Sequence, residues 1–160
     1  MKKLIIISII LICFTNIHAG QSAEGQVDLF VVPEYSSYLN PDSLKLNVIA
    51  KDNGTLFNTL GLEIKFPVNK LKISSLNYED GFCEIVAEEK IDNEAGILKI
   101  SCGQTEPILA TTTNILQINF DKIDSGWAQI STNSSIILAS DGLGTNVNGR
   151  TEDHNFYIYK

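Results

Sequence analysis

Histidine, cysteine and basic residues are scarce in this chain, and each shortage removes a class of chemistry. Only His18 and His154 are present, and His18 sits in an apolar N-terminal segment, so His154 stands alone in the remainder. A Ser-His-Asp or Cys-His engine needs a histidine beside its nucleophile. A zinc site needs more His or Cys at ligand spacing, which His154 lacks. His154 therefore reads as a surface residue near the C-terminus. Carboxylate pairs are the remaining route to hydrolysis, but Glu88-Glu89 and Glu79-Asp80 are adjacent in sequence. Glu88 and Glu89 are neighbouring strand residues, which face opposite ways and cannot flank one glycosidic bond. The turn Asp141-Gly142-Leu143-Gly144-Thr145-Asn146 offers oxygen ligands. It lacks the acidic third and fifth positions and the distal Glu of a calcium loop, so it reads as a glycine turn. The sequence is that of a non-enzyme with no cofactor and no metal centre.

Other shortages are as restrictive. Twelve Lys and Arg stand against nineteen Asp and Glu, too few cations for nucleic acid or anionic membranes, whose binding draws on cationic contacts. With a single tryptophan, and with Tyr35, Tyr38 and Tyr78 scattered relative to it, a wide coplanar platform for crystalline cellulose is not supported. No segment after residue 20 approaches the roughly 20 apolar residues of a spanning helix. No stretch shows a convincing helical period, and there is no repeat or low-complexity tract.

Met1-Lys2-Lys3, the apolar run Leu4–Phe14 and Ile17-His18-Ala19 have the form of a secretory signal peptide. Its run of about eleven residues is too short to anchor the chain. Cys13 is preceded by bulky Ile12 where a lipoprotein signal places a small residue. The expected organisation is a signal peptide over 1–19, a flexible leader over 20–26 and one domain over 27–160, secreted to the extracellular space or periplasm. Losing Lys2 and Lys3 leaves ten basic against nineteen acidic residues, a net charge of −9. Asn53-Gly54-Thr55 and Asn133-Ser134-Ser135 match glycosylation sequons and are read as turn residues.

Export leaves Cys83 and Cys102, an even pair in an oxidising compartment, and so a disulfide is expected. Two strand-like runs, Glu84–Ile91 and Glu94–Ser101, flank Asp92-Asn93, which suits a two-residue hairpin turn. Folding there opposes Ile91 to Glu94, Ile85 to Ile100 and Cys83 to Cys102. It places Cys83, Ile85, Ala87, Leu98, Ile100 and Cys102 on one inward face.

Further short runs lie at Val27–Val32, Leu44–Ala50, Leu60–Phe66, Leu71–Leu76, Ile115–Phe120, Ala128–Thr132, Ile136–Ala139 and Phe156–Tyr159, separated by Gly, Pro, Asn and Asp. Such spacing predicts an all-β domain of two packed antiparallel sheets. From Ile115 onward, a strand ending in Phe120 leads through an acidic loop and Gly126 into the next strand, and the run closes on Ala139-Ser140-Asp141-Gly142-Leu143-Gly144-Thr145. Gly61–Asn77 supplies a strand-loop-strand unit through Phe66-Pro67-Val68-Asn69-Lys70-Leu71, and Gly96 leads the strand Ile97–Ile100. Over Val27–Val147 this pattern resembles the cohesin-type domain. Pro41-Asp42-Ser43-Leu44 departs from it, standing where the family has a Gly-Asp turn. The resemblance implies a jelly-roll sandwich of about nine strands, shared with cellulose-binding modules. It also implies a binding module whose partner is a dockerin-like extracellular protein in trans, with polysaccharide or a structural role in a surface assembly as alternatives.

The binding face is expected on the polar side of a sheet. Ala128 and Ile130 continue an inward face, so alternation turns Trp127, Gln129 and Ser131 outward. An apolar ring beside amide and hydroxyl groups is a common way to hold a sugar or a protein. The alternative is that Trp127 covers a sandwich edge or packs under Phe156–Tyr159. Glu63, Lys65, Glu84, Glu88, Lys99 and Ser101 are further outward positions, Glu63, Lys65 and Lys99 being the stronger candidates.

Overall fold

The computed structural model describes residues 26–34, 42–79, 81–108 and 111–159. The expected signal peptide and most of the leader, with Tyr35 and Tyr38, lie outside them. Ten strands form: β1 (Val27–Pro33), β2 (Ser43–Asp52), β3 (Phe57–Lys65), β4 (Leu71–Asn77), β5 (Ile85–Asp92), β6 (Ile97–Ile108), β7 (Thr113–Lys122), β8 (Gly126–Ala139), β9 (Asn148–Glu152) and β10 (His154–Ile158). They make two five-stranded sheets, ordered β4-β7-β2-β1-β9 and β10-β8-β3-β6-β5. All neighbours are antiparallel except β1 and β9. The all-β, two-sheet expectation holds.

Alternation builds the core. Leu44, Leu46, Val48 and Ala50 of β2 face Leu60, Leu62 and Ile64 of β3 and Leu98 and Ile100 of β6 within one buried cluster. Phe66 meets Phe120 edge-on at 5.4 Å, and Phe82 lies 5.0 Å from Phe57. Burying side chains of this size stabilises by about 1.5–3 kcal/mol each, which is what a two-layer sandwich relies on.

Three departures have physical causes. The runs Ala128–Thr132 and Ile136–Ala139 are one fourteen-residue strand, β8. Its register against β3 slips between Glu63 and Ile64, leaving Asn133 as the extra residue. That bulge shifts the inward phase from Ala128 and Ile130 to Ile137, so the sequence looks like two strands. Strand β9, Asn-Gly-Arg-Thr-Glu, has no apolar signal at all. It is held by a parallel ladder to β1 and by buried Asp28, whose carboxylate accepts the Arg150 amide at 2.7 Å and pairs with its guanidinium at 3.4 Å.

The third departure corrects the hairpin. The connection is Asn93–Gly96, not Asp92-Asn93, and it pairs Ile91 with Leu98 and Ile85 with Gly103. Asp92 Oδ1 accepts the amides of Glu94 and Ala95, while Asn93 donates to the Ile73 carbonyl and accepts its amide. Gly96 closes the turn at φ +70° against the Phe66 carbonyl. These contacts need a wider loop than two residues. Strand β5 is an edge strand whose first six residues are exposed, Ile85 and Ala87 among them, so of the expected inward set Cys83, Leu98, Ile100 and Cys102 are buried and Ile85 and Ala87 are not. The Cys83–Cys102 disulfide does form, with Cα atoms 5.1 Å apart, but Cys83 reaches it from the link before β5, and Val86 is the residue opposite Cys102.

Candidate functional site

The outer face of the β10-β8-β3-β6-β5 sheet carries the candidate binding residues named from sequence except Glu84, which lies in the bend before β5. On β3 and β6, Glu63 stands opposite Lys99 and Gly61 opposite Ser101; on β8 they face Ser134 and Ile136. Lys99 Nζ lies 2.8 Å from Glu63 Oε2, and the Asn133 amide donates to Glu63 Oε1 at 2.5 Å. The hydrogen bond from Lys99, then that from Asn133, holds the Glu63 carboxyl below its usual range, and the same bond raises the Lys99 ammonium. Both stay charged across physiological pH, as a fixed ion pair.

Beside that pair lies a shallow groove of about 210 Å³, lined by Gly61, Glu63, Glu88, Lys99, Ser101 and Ile136 among others. Gly61 forms its floor: a Cβ there would stand 3.6 Å from Ser101 Oγ and 4.0 Å from Ile136 Cβ. Ile136 forms an apolar wall and is 54% exposed. Sequence reasoning missed both residues. In sequence Gly61 only opens the strand-loop-strand unit Gly61–Asn77, and Ile136 belongs to an apolar run whose outward phase the Asn133 bulge conceals.

The second cluster lies at the other end of β8. Trp127 is outward and 74% exposed, with Tyr157 directly opposite on β10 and edge-on to it at 5.7 Å. Tyr159, 65% exposed, stands 4.8 Å from Tyr157. Gln129 is exposed and donates to Asp153 at 3.2 Å, with Asn155 opposite. Ser131 and Lys65 are paired across β8 and β3 between the two clusters. Trp127 therefore does not lie under Phe156–Tyr159: Phe156 turns into the core and the tyrosines join Trp127 outside. Alternation within Phe156–Tyr159 carried that signal. Tyr78 is elsewhere, hydrogen-bonded to Glu89 at 2.7 Å. His154 is half-buried in β10, with its ring stacked over Phe156 at 5.7 Å. Among the described residues no three His, Cys, Asp or Glu side chains group as metal ligands.

No sequence-family model matches the chain, and no curated protein matches it by sequence. Solved structures do. The non-cellulosomal cohesin of the archaeon Archaeoglobus fulgidus superposes with a TM-score of 0.66 at 11% identity, covering 85% of this chain and 93% of that one. The sixth cohesin of Acetivibrio cellulolyticus scaffoldin B, solved in complex with a Cel5 dockerin, gives 0.64 at 13% identity, covering 81% and 96%. A type II cohesin from the A. cellulolyticus cellulosome gives 0.61 at 15%, covering 83% and 95%. At these identities the likeness is one of fold, and the fold of this chain is the cohesin-type β-sandwich.

Proposed function

We propose that this protein is an exported, non-catalytic binding module that holds a dockerin-like protein in trans on the outer face of the β10-β8-β3-β6-β5 sheet. The observation that carries the reading is the groove at Gly61, with its apolar wall of Ile136 and its Glu63–Lys99 ion pair, on the outer face of a five-stranded sheet. Five strands about 4.8 Å apart, the longest of fourteen residues, present a face of about 20 Å by 40 Å. That matches the roughly 800 Å² per partner of a standard protein–protein interface. A face carried on paired strands is held by its ladder hydrogen bonds, which lowers the entropic cost of association. Solved cohesins with this fold, among them the scaffoldin B module, are in complex with dockerins, and that supports a protein partner.

Immobilised chain, residues 20–160, tests this against the extracellular proteins of its own source. The expected result is retention of a protein bearing a duplicated calcium loop, stripped by a chelator and lost when Gly61→Leu fills the groove or Ile136→Glu charges its wall. Gly61 has no positive φ and its missing Cβ meets no close atom, so the first variant folds. Retention unaffected by either substitution would show that the groove is not the docking site. A purely structural subunit would capture only copies of itself.

A further inference from the structure

We propose that Trp127, Tyr157 and Tyr159 form a second site, separate from the protein-docking groove, that takes a single chain of a neutral β-linked polysaccharide. Trp127 and Ile136 are nine positions apart on β8, about 30 Å at strand rise. The cluster is therefore centred apart from the groove, although a partner spanning the whole face would reach both, and this inference does not rest on the docking reading.

The cluster's chemistry selects the ligand. Trp127, Tyr157 and Tyr159 are the most concentrated exposed aromatic surface among the described residues. Beside it on the β8–β10 ladder, Gln129, Ser131 and Asn155 carry amides and a hydroxyl, with Asp153 against Gln129 and Lys65 opposite Ser131. On a chain with nineteen acidic residues, three adjoining aromatic rings continued by amide and hydroxyl side chains fit an uncharged partner. Sugars with equatorial hydroxyls present a C–H face that stacks on an aromatic ring and a rim of hydroxyls that bond to amides. Asp153 holds the Gln129 amide at 3.2 Å and so fixes the direction of one such handle.

Ring geometry narrows the class further. Trp127 and Tyr157 meet at 89° and Tyr157 and Tyr159 at 55°. A flat crystalline surface needs coplanar rings, whereas successive residues of one isolated, twisting chain meet rings that turn with them. The ligand is thus a soluble glucan or xylan chain rather than a crystal face.

Trp127 is the only tryptophan, so its fluorescence reports this site alone. Titration of residues 20–160 with cellohexaose and with xylohexaose is expected to give a saturable blue shift with at least one of them. Gels containing hydroxyethylcellulose or soluble xylan should retard the protein correspondingly. Trp127→Ala should abolish the retardation, and Tyr157→Ala should weaken binding by about tenfold. Ile136→Glu should leave glycan binding intact while removing the protein partner. An unshifted spectrum with both oligosaccharides overturns the proposal, as does retardation that survives in Trp127→Ala. Loss of the protein partner alone in Trp127→Ala would assign the aromatics to protein docking instead.

Discussion

Replacing both Cys83 and Cys102 with alanine should destabilise the domain by about 3 kcal/mol. The bridge closes a separation of nineteen residues, and the chain-entropy relation for a loop of that size gives this figure at 25 °C. For a domain of this length it corresponds to a fall in Tm of about 10 °C. Because the gain lies in the unfolded chain, the urea m-value should rise while the near-ultraviolet spectrum of the folded state stays the same. The structure also says where the folded state will not change. Phe82 remains buried on Phe57, with its amide donating to the Asn114 carbonyl at 2.9 Å. The β5–β6 register is set by the Asn93–Gly96 turn, since Cys83 is not in the ladder. Hydrogen exchange in the alanine variant should therefore find β5–β6 amides as protected, relative to global unfolding, as before. A stability loss under 1 kcal/mol, or a selective opening of β5–β6, would refute the argument.

Two further expectations concern the scaffold. Gly96→Ala should cost at least about 2 kcal/mol, measured by urea unfolding, because φ there is +70° and a Cβ would lie 2.3 Å from the Phe66 carbonyl oxygen. For Asp28, burial raises the carboxyl pKa, but hydrogen bonds from the Arg150 amide and Asn53, with the Arg150 charge, outweigh it and leave the pKa below 3.8. A depressed folded-state pKa contributes stability above the unfolded value and loses it as pH falls through the folded one. Asp28→Asn should thus flatten stability against pH below about 4 in acid titration, and an unchanged acid limb would remove Asp28 from the account.

The layers of the sandwich were legible because inward apolar residues recur every second position in β2, β3 and β6. Legibility failed wherever that period was interrupted or unnecessary. Asn133 interrupts it and conceals that β8 is continuous. Strand β9 buries no apolar side chain, so nothing in Asn148–Glu152 announces a strand until β1 and Asp28 are seen beside it. The Asp92-Asn93 turn failed for another reason: Asn93 bonds the Ile73 backbone on the opposite sheet, a tertiary use that outranks local turn preference. The disulfide was correctly paired on an incorrect register, since a link outside the strand relieved Cys83 of any need to stand opposite Cys102. Of the site, Trp127, Gln129 and the Glu63–Lys99 pair could be placed by alternation, whereas the groove at Gly61 needed three strands in register.

The parallel seam between β1 and β9 has a consequence for how the chain reaches its native state. Asp28 and Arg150 are 122 residues apart, so this seam closes only once the chain through β9 is available. Contacts of such range make folding slow, on the order of milliseconds to seconds for all-β topologies. Until then β1 has a partner on one side only, with the backbone groups along its other edge open to pairing with a second chain. The first strand therefore cannot complete its sheet until β9 has been made. Truncation before residue 148 should accordingly leave a species that aggregates, which light scattering during refolding would register.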